Sequence, residues 1–360
     1  MSAEFDSLLE KIEIEIKKSL PSCAAEDWKQ ASFGEQNKFV SDENISQLIE
    51  PCSDLISRGG KRWRPLLLVL TAMASLENKS LSEAEKQSII EAAYSLTTVV
   101  EFVHNASLIH DDIEDSSDTR RGKPAVHLIW GNDVAINTGT WLYFQAAQNI
   151  QSLNIESETK LKLLEQYIIQ TRTLLLGQAM DIKWHNCKEY IPSPEEYMQM
   201  VKNKTGTLSS LAVTLGLILT KTEESRIHLM SQIASEIGAG FQIIDDVINL
   251  TTGNPGKKRG DDIVEGKKSL PVLYFAQSEK GKLGELENYF IAANKEGIES
   301  DSIEKAISLI EKSGAIEKAK NTGISLIEDS CKKIKNEFGT ENKYAQMITD
   351  LFLKMIPQNL

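Results

Sequence analysis

Two acidic clusters hold the residues best suited to chemistry in this 360-residue chain: Asp111-Asp112-Ile113-Glu114-Asp115 and, much further on, Asp245-Asp246-Val247-Ile248-Asn249. Each follows an apolar run, Ala106-Ser107-Leu108-Ile109-His110 before the first and Phe241-Gln242-Ile243-Ile244 before the second. Carboxylates are costly to bury without a partner, so acids emerging from a core-facing helix point to a cation. At helical spacing Asp111 and Asp115 lie one turn apart and can share a metal ion, and Asp245 and Asn249 repeat that spacing. Two such faces pointed at each other would make a magnesium and phosphate site. Alone, either cluster also fits a solvated acidic helix face.

Basic residues shift the balance. Gly59-Gly60-Lys61-Arg62-Trp63-Arg64-Pro65 places three cations ahead of an apolar run, and Arg120-Arg121-Gly122-Lys123 follows the first acidic cluster within one loop. Lys202 and Lys204-Thr205 form a third group, and Lys257, Lys258, Lys267 and Lys268 follow the second acidic cluster. Acids paired with basic loops suit a ligand bearing phosphate.

The elements that must position these residues read as helices. Residues 85–110 carry Ile89, Ala92, Ala93, Leu96, Val99, Val100, Val103 and Leu108, a broad apolar stripe at three-and-four spacing. Similar stripes predict helices over 134–150, 160–183, 208–220, 226–250, 302–312 and 316–338. Pro124, Pro192, Pro194 and Pro255 mark breaks, and loops are expected over 116–123 and 251–268. Strand-like alternation is almost absent, so the fold class is all-α. The first forty residues have weaker periodicity and are expected to form a loosely packed helical extension, with one large domain over 41–360.

Composition agrees with a soluble globular protein, 41% hydrophobic and 26% charged. A net charge of −12 argues against a nucleic-acid partner, while local basic clusters still permit an anionic ligand. The four cysteines, Cys23, Cys52, Cys187 and Cys331, are scattered and read as thiols of a reducing compartment. The N-terminus lacks the apolar core of a signal peptide, and no apolar run is long enough to span a bilayer. A cytoplasmic location is therefore expected.

Six motifs, in order, resemble those of the trans-type polyprenyl diphosphate synthases, the family that elongates isoprenoid chains head to tail. They are GGKRWRP (59–65), FVHNASLIHDDIEDSSDTRRGKP (102–124), GQAMDI (177–182), KTGTL (204–208), FQIIDDVINL (241–250) and GDDIVEGKKSLP (260–271). The resemblance implies one helical bundle around a central cavity, a homodimer, and Mg²⁺ as cofactor. It implies isopentenyl diphosphate and an allylic diphosphate as substrates, with a product released close to a membrane. Asp111, Asp115 and Asp245 would be direct metal ligands and part of the catalytic set, with Asp112 in the metal group and Asp246 in support. Arg120, Lys204 and Lys267 would hold the allylic diphosphate with Gln242 beside it, and Thr205 would lie near the carbocation. Lys61, Arg64, His104 and Arg121 would hold the diphosphate of isopentenyl diphosphate. By spacing, His104 lies two turns before Asp111 on the same face; alone it would read as a core histidine. Asn249 stands where the family often has a third aspartate and offers a carbonyl oxygen without charge.

The product would grow down the helix below the first cluster, past Ser107, Ala106 and Val103. In the family a bulky aromatic at the position of Ala106 acts as a floor. A small residue there, and no insertion in the first motif, imply a medium or long chain. Trp141, Tyr143 or Phe144 could set the floor instead. Geranylgeranyl or farnesyl diphosphate synthesis is the alternative product class. A terpene cyclase has no need of a second diphosphate cluster. A non-catalytic subunit of a heteromeric synthase would be expected to lose acidic residues that this chain keeps, and a plain helical interaction protein would need neither. Replacing Ala106 with tyrosine should shorten the product on chromatography; an unchanged length would remove Ala106 from the growth path.

Overall fold

The computed structural model describes residues 3–187, 190–253 and 259–357. Pro255, Lys257 and Lys258 lie outside them. Helix dominates, as periodicity predicts. In chain order come α1 Ala3–Ser19, α2 Glu26–Phe33, α3 Asp42–Ser57, α4 Trp63–Leu76 and α5 Glu83–Glu114. A short hairpin follows, β1 Thr119–Arg120 and β2 Lys123–Pro124, then α6 Val126–Trp130, α7 Asn132–Gln151 and α8 Ser157–Asn186. The remainder is α9 Pro194–Val201, a π-turn at Lys202–Gly206, α10 Thr207–Leu219, α11 Glu224–Leu250, α12 Asp261–Glu265 and α13 Leu270–Ser278. It ends with α14 Leu283–Glu296, α15 Asp301–Lys312, α16 Ala315–Phe338 and α17 Lys343–Met355. Among the described residues no helix is long and apolar enough to cross a membrane.

The chain divides into two compact units. One comprises Met1–Thr171, Leu211–Ser231 and Glu341–Ala345, the other Arg172–Ser210, Gln232–Thr340 and Gln346–Leu360.

In the first unit α5 is the central element, packed against α1, α4 and α7. A capping box starts it: Ser82 Oγ accepts from the Glu85 amide, and the Glu85 carboxylate accepts from the Ser82 amide at 2.8 Å. Its inward face buries Leu96, Val99, Val100, Val103, Ala106 and Ile109. Helix α4 is apolar nearly all round and is buried accordingly, with Leu66 through Leu70 wholly enclosed. Where α7 crosses α5, Gly139 permits close approach: a Cβ there would sit 2.7 Å from His110 Nε2. Of the first forty residues, expected to pack loosely, α1 buries Phe5, Leu8, Ile12 and Ile16 at three-and-four spacing. Helix α2 has no buried residue, and its Trp28 and Phe33 lie against Trp141.

Among the elements that the periodicity did not give, two are short and sit in expected loops. The β1–β2 hairpin turns at Arg121 and Gly122, both at positive φ, which suits a two-residue primed turn. Helix α12 lies inside the expected loop 251–268, bounded by left-handed Gly260 and Gly266. Neither is long enough to display a period. In the second unit the core gathers Tyr197, Met200, Ile243, Val247, Leu273, Phe275, Ile307 and Ile310.

A buried ion pair fixes the start of α4. Arg62, itself left-handed at φ 47°, donates to Glu101 Oε1 at 2.6 Å, Glu13 Oε1 at 2.7 Å and the Ile56 carbonyl at 2.7 Å. Glu101 also accepts from Asn105 Nδ2 at 2.8 Å. Glu101→Ala would leave a buried guanidinium short of one charge partner and should destabilise the fold by about 3 kcal/mol, measured by urea unfolding. A loss below about 1 kcal/mol would mean that Glu13 suffices.

Candidate functional site

The last turn of α5 presents the first acidic cluster. The Asp115 amide donates to the Asp111 carbonyl at 2.8 Å, so the helix runs on through the cap and the two carboxylates stay one turn apart. Both are half-buried. Asp112 differs. It is wholly buried, and its Oδ1 accepts from Arg120 Nε at 2.8 Å. Burial raises its pKa against the opposing pull of Arg120. Grouped with the metal ligands by sequence, Asp112 instead points at the guanidinium that it orients, because the neighbouring helical position turns inward. Arg120 also lies 3.7 Å from Asp111 Oδ2.

Around His104 the first unit concentrates positive charge. Burial holds the imidazole pKa well below its usual value, helped by Arg64, Arg121, Arg120 and Arg62, so the ring is neutral at pH 7. Arg64 is pushed down to about 10, chiefly by burial, with Glu101 opposing and Arg121 adding to the effect. Its Nε is enclosed without a hydrogen-bond partner, and its guanidinium lies 4.2 Å from the Trp63 ring centroid. Arg121 donates to the Leu55 carbonyl at 3.0 Å and is likewise lowered by burial. Arg58 ties the hairpin down, donating to the carbonyls of Arg120 at 3.0 Å and Pro124 at 2.9 Å. Lys61 is exposed. The cluster thus gathers His104, Arg64, Arg120 and Arg121, while Arg62, expected only as one more cation, is a structural strut.

Of the chain-length candidates, Val103 and Ala106 are wholly buried and Ser107 is half-buried. Trp141 is engaged by Trp28 and Phe33, and Phe144 is 73% exposed. Tyr143 alone of the three aromatics is buried, its ring 5.8 Å from that of His110.

In the second unit Lys204 Nζ lies 2.7 Å from Asp181 Oδ2. Thr205 Oγ1 donates to Gln242 Oε1 at 2.9 Å, and Gln242 Nε2 donates to Asp246 Oδ1 at 3.0 Å. Tyr197 Oη donates to Asp246 Oδ2 at 2.5 Å. Asp246 is buried and pushed up to about 7 by burial and by Asp262, despite those two donors. Asp245, the adjacent residue, is exposed. Lys267 contacts Glu265 at 2.5 Å and Asp262 at 3.5 Å. Asn249 is only 2% exposed, and its Oδ1 accepts from the Asp262 amide at 3.3 Å. It therefore anchors α12 rather than repeating the geometry of Asp115.

Glu101, Asp181 and Tyr197 were not read from the sequence as site residues. Glu101 had a signal, an acid three residues before His104 inside an apolar stripe, and Asp181 lies in the GQAMDI motif. Tyr197 had none. Among the described residues no three His, Cys, Asp or Glu side chains form a metal-holding group. Mg²⁺ commonly sits on one or two carboxylates together with substrate phosphates, so a carboxylate pair such as Asp111 and Asp115 suits it.

Residues 45–310 match the family model described as polyprenyl synthetase. The chain is 35% identical over 273 residues to the short chain isoprenyl diphosphate synthase of Methanocaldococcus jannaschii, covering 74% of this chain and 77% of that one. It is 27% identical over 345 residues to an all-trans-nonaprenyl-diphosphate synthase (geranyl-diphosphate specific) of Rhodobacter capsulatus, covering 94% and 97%. The crystal structure of a geranylgeranyl pyrophosphate synthetase from Pyrococcus horikoshii Ot3 aligns with a TM-score of 0.77 at 27% identity, over 99% of both chains.

The depressed His104 pKa has a consequence for stability. Between its folded value and the unfolded value of about 6.5, the folded state binds fewer protons than the unfolded one. Stability from this group is full above about pH 6.5 and falls as the pH drops through that window. His104→Gln should flatten the acid side of the ligand-free stability profile, measured by denaturant titration across pH. An unchanged slope would assign the loss to other groups.

Proposed function

The chain belongs to the polyprenyl synthetase family, and from that premise we propose that it is a Mg²⁺-dependent prenyltransferase that joins isopentenyl diphosphate to an allylic diphosphate, giving a trans-polyprenyl diphosphate. One observation carries this: in a chain of net charge −12, four guanidinium groups surround His104 on the helix that ends in Asp111 and Asp115. Such a cluster suits a diphosphate, and the enclosed Arg64 Nε is a donor ready for one of its oxygens.

The reaction breaks the bond between the allylic carbon and its diphosphate oxygen, forms a carbon–carbon bond to isopentenyl diphosphate and releases a proton. Its demand is for stabilisation of the departing pyrophosphate. Asp111, Asp115 and Asp245 would hold Mg²⁺; they supply only hard oxygen donors, the set that this ion prefers. When bound, the ion would offset the charge of the leaving group. Arg120, steadied by Asp112, would grip the allylic diphosphate with Lys204, which Asp181 holds, and Lys267. Gln242 would sit beside it and orient the Thr205 hydroxyl toward the cation. Lys61, Arg64, His104 and Arg121 would bind the diphosphate of isopentenyl diphosphate, and neutral His104 would donate one hydrogen bond. Exclusion of water protects the cation.

A product longer than geranylgeranyl is part of the proposal, supported by the small, buried Ala106 on α5. We take residues 41–360 as one catalytic domain and residues 1–40 as its extension. A homodimer would cover the exposed Ile136 and Phe144 of α7 and Leu161 and Ile168 of α8. Free thiols at Cys23, Cys52, Cys187 and Cys331 fit a reducing cytoplasm.

Incubation with labelled isopentenyl diphosphate, Mg²⁺ and a set of allylic primers should give labelled polyprenyl products on chromatography. Failure with every primer would sink the proposal. Asp111→Ala should lower turnover on the order of 10²- to 10³-fold with circular dichroism unchanged; a variant that stays active would remove Asp111 from the metal site.

A further inference from the structure

Lys204 and Thr205 sit in a π-turn, Lys202–Gly206, between α9 and α10. Such turns interrupt α-helical hydrogen bonding and are frequent at functional sites. Here both flanks are closed by backbone. On one side, a Cβ at Gly177 of α8 would lie 2.3 Å from the Lys204 amide nitrogen and 2.8 Å from Asn203 C and Lys204 Cα. On the other, a Cβ at Gly206 would lie 2.6 Å from the Ser235 carbonyl oxygen of α11, and one at Gly238 would lie 2.7 Å from Gly206 Cα. A flexible side chain could swing aside from such contacts, but packed backbone cannot.

A hydrogen-bond chain then sets the rotation of the turn. Tyr197, buried on α9 and seven residues ahead of Lys204, donates to Asp246 Oδ2 at 2.5 Å. The other oxygen of Asp246 accepts from Gln242 Nε2 at 3.0 Å, and Gln242 Oε1 accepts from the Thr205 hydroxyl at 2.9 Å. The amide of Leu270 approaches the first oxygen at 3.4 Å. One turn beyond Gly177 on α8, Asp181 holds Lys204 Nζ. The distance of the turn from α8 and the aim of its two functional side chains are therefore set by separate features.

We propose that Gly177 and Tyr197 are positioning residues for prenyl transfer: the missing side chain at Gly177 admits the π-turn against α8, and the Tyr197 hydroxyl, through Asp246 and Gln242, fixes the Thr205 hydroxyl. Neither touches substrate; both act through Lys204 and Thr205, a role that rests on the reaction proposed above. Isopentenyl diphosphate is assigned to other residues, so its KM is insulated from both.

Tyr197→Phe and Gly177→Ala in the full chain test this by two independent readouts. In steady-state kinetics, Tyr197→Phe should lower kcat about tenfold, the loss of one hydrogen bond to a charged group, with the KM for isopentenyl diphosphate unchanged. Gly177→Ala should lower kcat on the order of 10²-fold, as expected for a displacement of about 1 Å. In hydrogen exchange followed by mass spectrometry, the peptide spanning residues 202–206 should exchange faster in Tyr197→Phe, while peptides of α5 keep their rates. A Tyr197→Phe protein with wild-type kcat and wild-type exchange over 202–206 overturns the proposal. So does a KM for isopentenyl diphosphate that worsens in step with kcat and thermal stability, the mark of a merely structural loss. Should Gly177→Ala fail to fold, Tyr197→Phe decides alone. A wild-type chain without turnover sinks the reaction, and the exchange experiment still judges the positioning.

Discussion

Four guanidinium groups crowd one neutral imidazole in the first unit, and separate buried partners, Glu101 and Asp112 among them, keep them from dispersing. Like charges at such range would normally relax by turning into solvent. Three of them cannot, because each is tethered: Arg62 to Glu101 and Glu13, Arg120 to Asp112, and Arg121 to the Leu55 carbonyl. Arg64 is enclosed and lowered to about 10, chiefly by burial, with Arg121 adding to the effect. In the proposed reaction a diphosphate would offset this positive charge, which is how a protein with an acidic balance can favour an anion locally. Helix α5 supplies Glu101, His104, Asp111 and Asp112 along one continuous rod, so their spacing is as rigid as the helix.

The second unit is governed by contact distance more than by charge. At Gly177, Gly206 and Gly238 backbones meet without room for a methyl group, so the π-turn has one place to go. Asp246 illustrates how a buried acid is used there. It is pushed up to about 7, yet it accepts from both Tyr197 and Gln242, so it ties α9 to α11 instead of facing solvent. Its neighbour Asp245 is exposed. Adjacent helical positions point about 100° apart, and that rotation alone separates an outward acid from an inward one. A milder form of this division holds between half-buried Asp111 and wholly buried Asp112.

Much of this was legible before any coordinates. The three-and-four spacing predicted α5, α7, α8, α10, α11, α15 and α16 close to their observed bounds, because amphipathic periodicity records which face a helix buries. The acidic and basic clusters were legible as candidates for a diphosphate and metal site because charge in motif order is a local property of the chain. Other assignments were not. Asn249 repeats the spacing of Asp115 but its Oδ1 accepts from the Asp262 amide of α12, Trp141, one of three aromatics offered as a floor, lies against Trp28 and Phe33 of α2, and α12 and the β1–β2 hairpin are too short to carry a period.

By itself the sequence determined the helical class, the residue types able to grip diphosphate and the family that uses them. These depend on composition and spacing along one chain. Only the tertiary structure decided which of two adjacent aspartates is buried and which arginine is a strut. It also decided why Gly177 must lack a side chain and that Tyr197 reaches Asp246 across 49 residues of sequence. Those outcomes depend on what lies opposite each side chain after packing, and no periodicity within a single helix encodes its neighbour.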